Sequence, residues 1–337
     1  MRFTRFSVFC CSVLIASATI AADEVKVNAL NFVTAQTALQ FETYQERAGG
    51  VNKFLNEREP VPIDKQTTIR MNRDTLYSFA VIDISKDATV ILPDAGSRYM
   101  SMMVVNQQEY INAVYLTQGK HKLTKEKFDS DHVFLVIRTL VDSNSVEDIK
   151  AVNDLQDQFE IKANSSTPFT APKYDMASYK STLDALLELG KGIPNSKGWF
   201  GSKKETNPIG HLIGAAVGFG GLPESHAYYL NMNPDLPVGE YAITAKDVPV
   251  RAFWSVSLYN AEGYFQKNPQ NAYNFNSVNA KKNPDGSITI HLGGCTDGRV
   301  NCLPLMEGWN YGVRMYEPEK AILDGQYVFP SVEPIKK

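Results

Sequence analysis

The sequence has 337 residues, 43% of them apolar, with 34 Lys and Arg against 37 Asp and Glu for a formal net charge of −3. That mildly acidic balance, without a run of basic residues able to neutralise a phosphate backbone, argues against a nucleic-acid partner. The length exceeds what one core usually serves and sets an expectation of two domains.

Residues 1–22 read as a secretory signal peptide: Arg2 and Arg5 lead an apolar run over 6–18, small residues follow, and cleavage is expected after Ala21 or Ala22. The run is shorter than the roughly 18 to 20 residues a spanning helix needs, so no stable membrane insertion is expected after cleavage. The mature chain is therefore expected in the periplasm or outside the cell. Residues 31–47 carry Phe32, Ala35, Leu39 and Tyr44 at near-helical spacing and stop at Gly49 and Gly50. Beyond Pro60 and Pro62, β-branched and aromatic runs at 75–84, 88–92, 99–106, 111–116 and 132–140 read as strands of an antiparallel sheet or sandwich.

Ser145 has N-cap chemistry ahead of Ile149, Val152, Leu155 and Phe159 on one helical face. Residues 164–172 form the most linker-like stretch. A second helix is expected over 175–189, ending at Gly190, and Asn207-Pro208 opens a third through Val217. Strands return at 228–231, 241–244, 253–260, 288–291 and 311–316, with Asn283-Pro-Asp-Gly286 a turn before one of them. The expected fold is mainly β with flanking helices (α+β), arranged as two tandem antiparallel β-sandwich, jelly-roll-like domains. The expected division is a signal peptide over 1–22, an N-terminal β-rich domain over 23–163, a linker and helical junction over 164–227, and a C-terminal sandwich over 228–337.

Cleavage leaves two of the four cysteines, Cys295 and Cys302. In an oxidising compartment they are a disulfide candidate, whose short loop is worth about 2.5 kcal/mol in the chain-entropy model. A zinc site would want further Cys or His nearby, and a redox pair would want Cys-x-x-Cys; neither occurs. Gly-x-Ser-x-Gly and His-Glu-x-x-His are also missing, and the five histidines are scattered singly. Gly214 to Gly221 is glycine-rich but lacks the strand before it and the helix after it that a dinucleotide loop requires, and reads as a tight turn. His211 and His226 flank it. Asp129 and Asp131 lack the rest of a calcium-ligand series. No metal and no cofactor are expected.

The densest chemistry lies in Arg70-Met-Asn-Arg-Asp-Thr-Leu-Tyr-Ser78, which places Asn72, Arg73 and Asp74 at the mouth of a strand and Thr75 and Tyr77 on one of its faces. Such a cluster can hold a ligand. It can equally be structural, with Asp74 capping amides or pairing with an arginine, Asn72 shaping a turn and Tyr77 anchoring the sheet. This run and Gly96-Ser-Arg-Tyr-Met-Ser-Met102, which contains Arg98 and Tyr99, resemble the exported domain-of-unknown-function family 1254. Ala252-Phe-Trp-Ser-Val-Ser-Leu-Tyr-Asn-Ala-Glu-Gly-Tyr264, Asn283-Pro-Asp-Gly-Ser-Ile-Thr289 and Val313-Arg-Met-Tyr-Glu-Pro318 resemble its partner family 1214. The resemblance covers nearly all of the mature chain. It implies paired jelly-roll-like sandwiches with helical embellishment and brings no established activity.

Within the second block, Trp254, Val256 and Leu258 alternate with Phe253, Ser255, Ser257 and Tyr259, which leaves one face apolar and the other mixed enough to line a cavity. Arg314 and Tyr316 share a face two residues apart. Meeting Ser257 and Tyr259, they would make a polar aromatic floor suited to sugars or carboxylates. The leading expectation is an exported protein binding a small polar or carbohydrate-like ligand. A hydrolase or lyase using Asp74 or Tyr77 with Arg73 or Arg98 is the second, and a homo-oligomeric envelope component the third.

Overall fold

The computed structural model describes residues 24–66, 69–193 and 195–335, so the expected signal segment lies outside the described residues. The first half comprises α1 (Phe32–Arg47), β1 (Leu55–Asn56), β2 (Thr75–Asp83), β3 (Ala88–Leu92), β4 (Met100–Val105), β5 (Ile111–Tyr115), β6 (Gly119–Leu123), α2 (Lys125–Phe128), β7 (His132–Leu140), α3 (Val146–Gln156) and β8 (Glu160–Ala163). Helices α4 (Met176–Leu189) and α5 (Pro208–Gly218) follow. The last third holds β9 (Ala227–Met232), β10 (Tyr241–Ala245), β11 (Trp254–Tyr259), β12 (Asn274–Asn276), β13 (Ile288–Leu292), β14 (Cys302–Leu303), β15 (Asn310–Tyr316), α6 (Lys320–Leu323) and β16 (Glu333–Pro334).

The long apolar strands β2 and β7 pair antiparallel along their whole length and stand inside a sheet ordered β1-β2-β7-β4-β5. Every residue of β7 is buried, because both faces of this sheet are covered. One face, including Ile82, Val104, Leu135 and Ile137, packs on Val90, Leu92 and Leu123 of the small sheet β6-β3-β8. The other, through Val81, Met103, Phe134 and Val136, meets Phe32, Ala35 and Phe41 of α1 and Ile213 of α5. The helices start where cap chemistry predicts: Ser145 Oγ accepts from the Asp148 N–H at 3.1 Å, and Asp175 Oδ1 from the Ser178 N–H at 2.8 Å.

In the last third, β12-β11-β15-β9 packs against β14-β13-β10-β16. Trp254, Val256, Leu258, Val313 and Met315 meet Ile243, Ile290 and Leu292 in this core. The alternate residues of β11 and β15 point the other way, toward the first half of the chain. The molecule is mainly β, with several antiparallel sheets, six helices among the described residues and no closed barrel. None of those helices is long and apolar enough to cross a membrane.

Three differences from the sequence reading have simple causes. β6 and β8 carry exposed Lys120, Lys122, Glu160 and Lys162 on their outer faces, so their alternation looks like charged loop. The strands β1, β12, β14 and β16 have two or three residues, too few for a period to register. The glycine-rich run is helical through Gly218, so only its end is a turn. There a Cβ on Gly221 would stand 2.3 Å from the Phe200 ring.

Cys295 and Cys302 form a disulfide, which fastens the loop after β13 to β14. Replacing both by alanine should lower unfolding free energy by about 2.5 kcal/mol. Urea denaturation of the oxidised protein and the double variant measures this, and the two should share one far-ultraviolet circular dichroism spectrum.

Candidate functional site

The outward face of β11 and β15 is polar because their period-two alternation sends every large apolar residue the other way. Ser255 stands opposite Arg314, which stands opposite Tyr229 of β9, while Ser257 faces Gly312. Arg314 uses this opening: its Nη1 donates to Ser257 Oγ at 3.0 Å and its Nη2 to Tyr259 OH at 2.9 Å. The same Nη2 donates to the Arg70 carbonyl at 2.7 Å, and Tyr259 OH donates to the Met71 carbonyl at 2.8 Å.

Residues 70–77, leading into β2, lie across this floor. Asn72 folds them into an Asx turn, its Oδ1 accepting from the Asp74 N–H at 2.8 Å. Its Nδ2 lies 3.0 Å from Tyr316 OH and 3.2 Å from Tyr77 OH. The Asp74 carboxyl is wholly buried and accepts from Ser255 Oγ at 2.6 Å and Asn274 Nδ2 at 2.7 Å. The two motif sets therefore meet at one place.

Behind Tyr77 the pairing of three strands sets Tyr77, Arg138 and Ser101 in a row. The Arg138 guanidinium lies 5.3 Å from the Tyr77 ring centroid and donates through Nη2 to the Gly220 carbonyl at 2.6 Å. Its Nη1 is buried without a hydrogen-bond partner among the described residues, and the buried Tyr99 OH and Ser101 Oγ have none but each other nearby. Tyr99 sets its ring 5.4 Å from both Phe253 and Tyr316. Tyr77, Tyr99 and Tyr229 are half-buried, each keeping part of its surface accessible.

Burial raises the Asp74 pKa, and the neighbouring Arg314 and the Ser255 and Asn274 bonds offset this only in part. Burial also pushes the Tyr77 phenol up, but the Arg138 charge and the Asn72 bond outweigh it, leaving Tyr77 below the ordinary tyrosine value. Tyr316 and Tyr229, with burial dominant, stand above it. Burial works against the charge of Arg138, and the oxygens of Tyr77, Tyr229, Tyr316 and Tyr99 around it act the other way.

Residues 51–163 match the protein-of-unknown-function family DUF1254, and residues 223–320 match the protein-of-unknown-function family DUF1214. The chain belongs to both families, in that order. The 1254 region supplies Asn72, Asp74, Tyr77, Tyr99, Ser101 and Arg138, and the 1214 region supplies Tyr229, Ser255, Arg314 and Tyr316, so the site is a property of the pair. The crystal structure of the VPA0106 protein from Vibrio parahaemolyticus is similar, with a TM-score of 0.69, 19% identity, and coverage of 92% of this chain and 98% of that one. A putative uncharacterized protein from Burkholderia cenocepacia has a TM-score of 0.54, 14% identity, and coverage of 90% and 87%. At these identities the likeness is one of fold alone. No curated protein matches the sequence.

Of the residues singled out in the 1254 and 1214 motifs, Asn72, Asp74, Tyr77, Tyr99, Tyr259, Arg314 and Tyr316 come together. Three do not reach the centre. Arg73 donates to the Val61 carbonyl and lies 5.2 Å from the Tyr273 ring. Arg98 makes a two-pronged bond to Asp148, at 2.6 and 3.0 Å. Trp254 is in the C-terminal core, edge-on to Phe329. Sequence reasoning missed Arg138, Ser101, Tyr229 and Asn274. For Arg138 a signal existed: it is the one Lys or Arg in the apolar run of β7, where an isolated charge implies a built environment.

Two surface cavities lie away from this centre. One of about 250 Å³ is bordered by Thr34, Thr37, Gln107 and Tyr174, and one of about 200 Å³ borders Arg98, whose guanidinium is committed to Asp148. His211 bonds the Gln108 carbonyl and His226 bonds Glu317, so these two histidines serve different contacts. Among the described residues no group of three or more His, Cys, Asp or Glu is placed to hold a metal.

Asp74→Ala leaves the Ser255 hydroxyl and the Asn274 amide without their buried acceptor and should cost about 3 kcal/mol in urea denaturation at neutral pH. Because its folded-state pKa is raised, Asp74 keeps its proton in the native state to higher pH than in the unfolded chain. Wild-type stability should then fall relative to Asp74→Asn as pH rises from about 4 toward that raised value, and level off above it. Parallel denaturation series of the two proteins across pH measure this slope.

Proposed function

We propose that this is an exported envelope protein that binds a small polar ligand in the interior shared by its two β-rich halves. The observation that carries this reading is the convergence, from positions 244 residues apart, of Asn72 with Tyr316 and of the Arg70 carbonyl with Arg314, beside half-buried phenols. Two halves that only had to adhere would be served as well by apolar contacts, since buried polar groups add little net stability. The Cys295–Cys302 bond agrees with an oxidising compartment. In this reading residues 23–163 and 228–337 are two jelly-roll-like sandwiches, and 164–227 clamps them with helices.

Thermal melting of the mature chain with cell-wall sugars and organic acids tests the proposal. At least one class should raise the melting temperature saturably, as a ligand held by the native state does. Asn72→Ala should weaken that ligand by about tenfold, one lost hydrogen-bonding group in a buried site. Absence of a shift with every class would count against binding altogether.

One observation favours an enzyme. Arg138 beside Tyr77 lowers the phenol pKa, which suits Tyr77 to remove a proton as a general base. A hydrolase or lyase of this kind should turn over a ligand that binds, and Tyr77→Phe should abolish turnover while retaining binding. Unchanged turnover in Tyr77→Phe would remove Tyr77 from that role.

A further inference from the structure

We propose that the ligand of this interior is a small monocarboxylate, its carboxylate received by Arg138 Nη1, Tyr99 OH and Ser101 Oγ, a proposal that rests on the binding reading above. The first ground is the charge inventory. Three arginines, Arg70, Arg138 and Arg314, lie in or beside the junction, and none takes part in an ion pair among the described residues. Arg138 and Arg314 are 5% and 8% exposed. The one carboxyl among them, Asp74, is hydrogen-bonded by the neutral Ser255 and Asn274 and lies near Arg314, so it offsets at most one of these charges. Glu317, the next acid, is bound to His226 and Arg251 at 2.8 and 3.0 Å. Glu109 is buried beside the Gly220 amide and pairs with none of these arginines. The junction thus holds more buried positive charge than its own acids balance, whereas buried charges are ordinarily paired.

The second ground is directional. Cross-strand pairing fixes Ser101 opposite Arg138, and the Gly220 carbonyl holds Nη2, so the free Nη1 has a set orientation. Arg138 Nη1 and the adjacent hydroxyls of Tyr99 and Ser101 can all donate once a ligand separates the two hydroxyls. A carboxylate accepts from all three and compensates the guanidinium charge; a neutral hydroxyl accepts as well but leaves that charge uncompensated. The surrounding side chains are aromatic. Tyr77 stacks on Phe79 at 5.6 Å, and Phe253 stacks on Tyr316 at 4.2 Å, so an apolar or planar body fits beside the carboxylate better than a polyhydroxylated one.

Isothermal titration of the full mature chain with benzoate and butyrate, against benzamide, inorganic phosphate and N-acetylglucosamine, decides the matter. A carboxylate should bind at least about tenfold more tightly than benzamide, and Arg138→Met should lose about tenfold or more of that affinity, as expected for a charged hydrogen bond. If Arg138→Met does not fold, Ser101→Ala and Tyr99→Phe replace it, each weakening the carboxylate by about threefold to tenfold and leaving benzamide unchanged. Binding of the sugar or the amide as tightly as the carboxylates, or of phosphate in preference to them, overturns the monocarboxylate and leaves the binding reading standing. Binding of none of the panel overturns both.

Discussion

Asp74 lies at the entrance to β2 with no exposed surface, and the groups that satisfy its carboxyl are 181 and 200 residues further along the chain. A carboxyl so far from water is tolerated only where hydrogen-bond donors are supplied, and among the described residues both donors to its side chain come from across the junction. The relative placement of the two large sheets follows from this. Ser255 on β11 and Asn274 on β12 must reach it, which turns the polar face of the β12-β11-β15-β9 sheet toward residues 70–77. Arg314 then finds the Arg70 carbonyl and Tyr316 finds Asn72. One buried acid thus orders the contacts from which the candidate site is built.

The main strands and helices were legible because each follows a local rule. The run 132–140 is apolar on both faces and is a central strand; Ser145, Asp175 and Asn207 each accept a hydrogen bond at the start of a helix. The alternation of β11 also told which face would be polar, and Arg314 does meet Ser257 and Tyr259. Which motif arginine would join that face was not legible. Arg70, Arg73 and Arg98 sit in the same kind of sequence, and only the fold sends Arg98 to Asp148 and Arg73 to Val61. Arg138 was hidden for a different reason. Its strand reads as core, and its role comes from cross-strand neighbours, Tyr77 and Ser101, that no linear spacing reveals.

The distribution of the site across two families bears on how the chain varies. A substitution at Asn72 is felt at Tyr316, and one at Ser255 is felt at Asp74, so tolerated changes on one side depend on residues of the other. Residues outside this junction, such as Lys120 and Lys122 on the outer face of β6, face no such coupling.

Asp74 also has a bearing on the order in which the molecule forms. A chain made from its N-terminus has β2, β4 and β7 available for pairing long before β11 and β15 exist, since the local antiparallel contacts close first. The polar end of β2 stays hydrated throughout that interval. Docking of the last sheet must strip that water from Asp74 and Asn72, so the step that completes the fold and the step that completes the site are the same event.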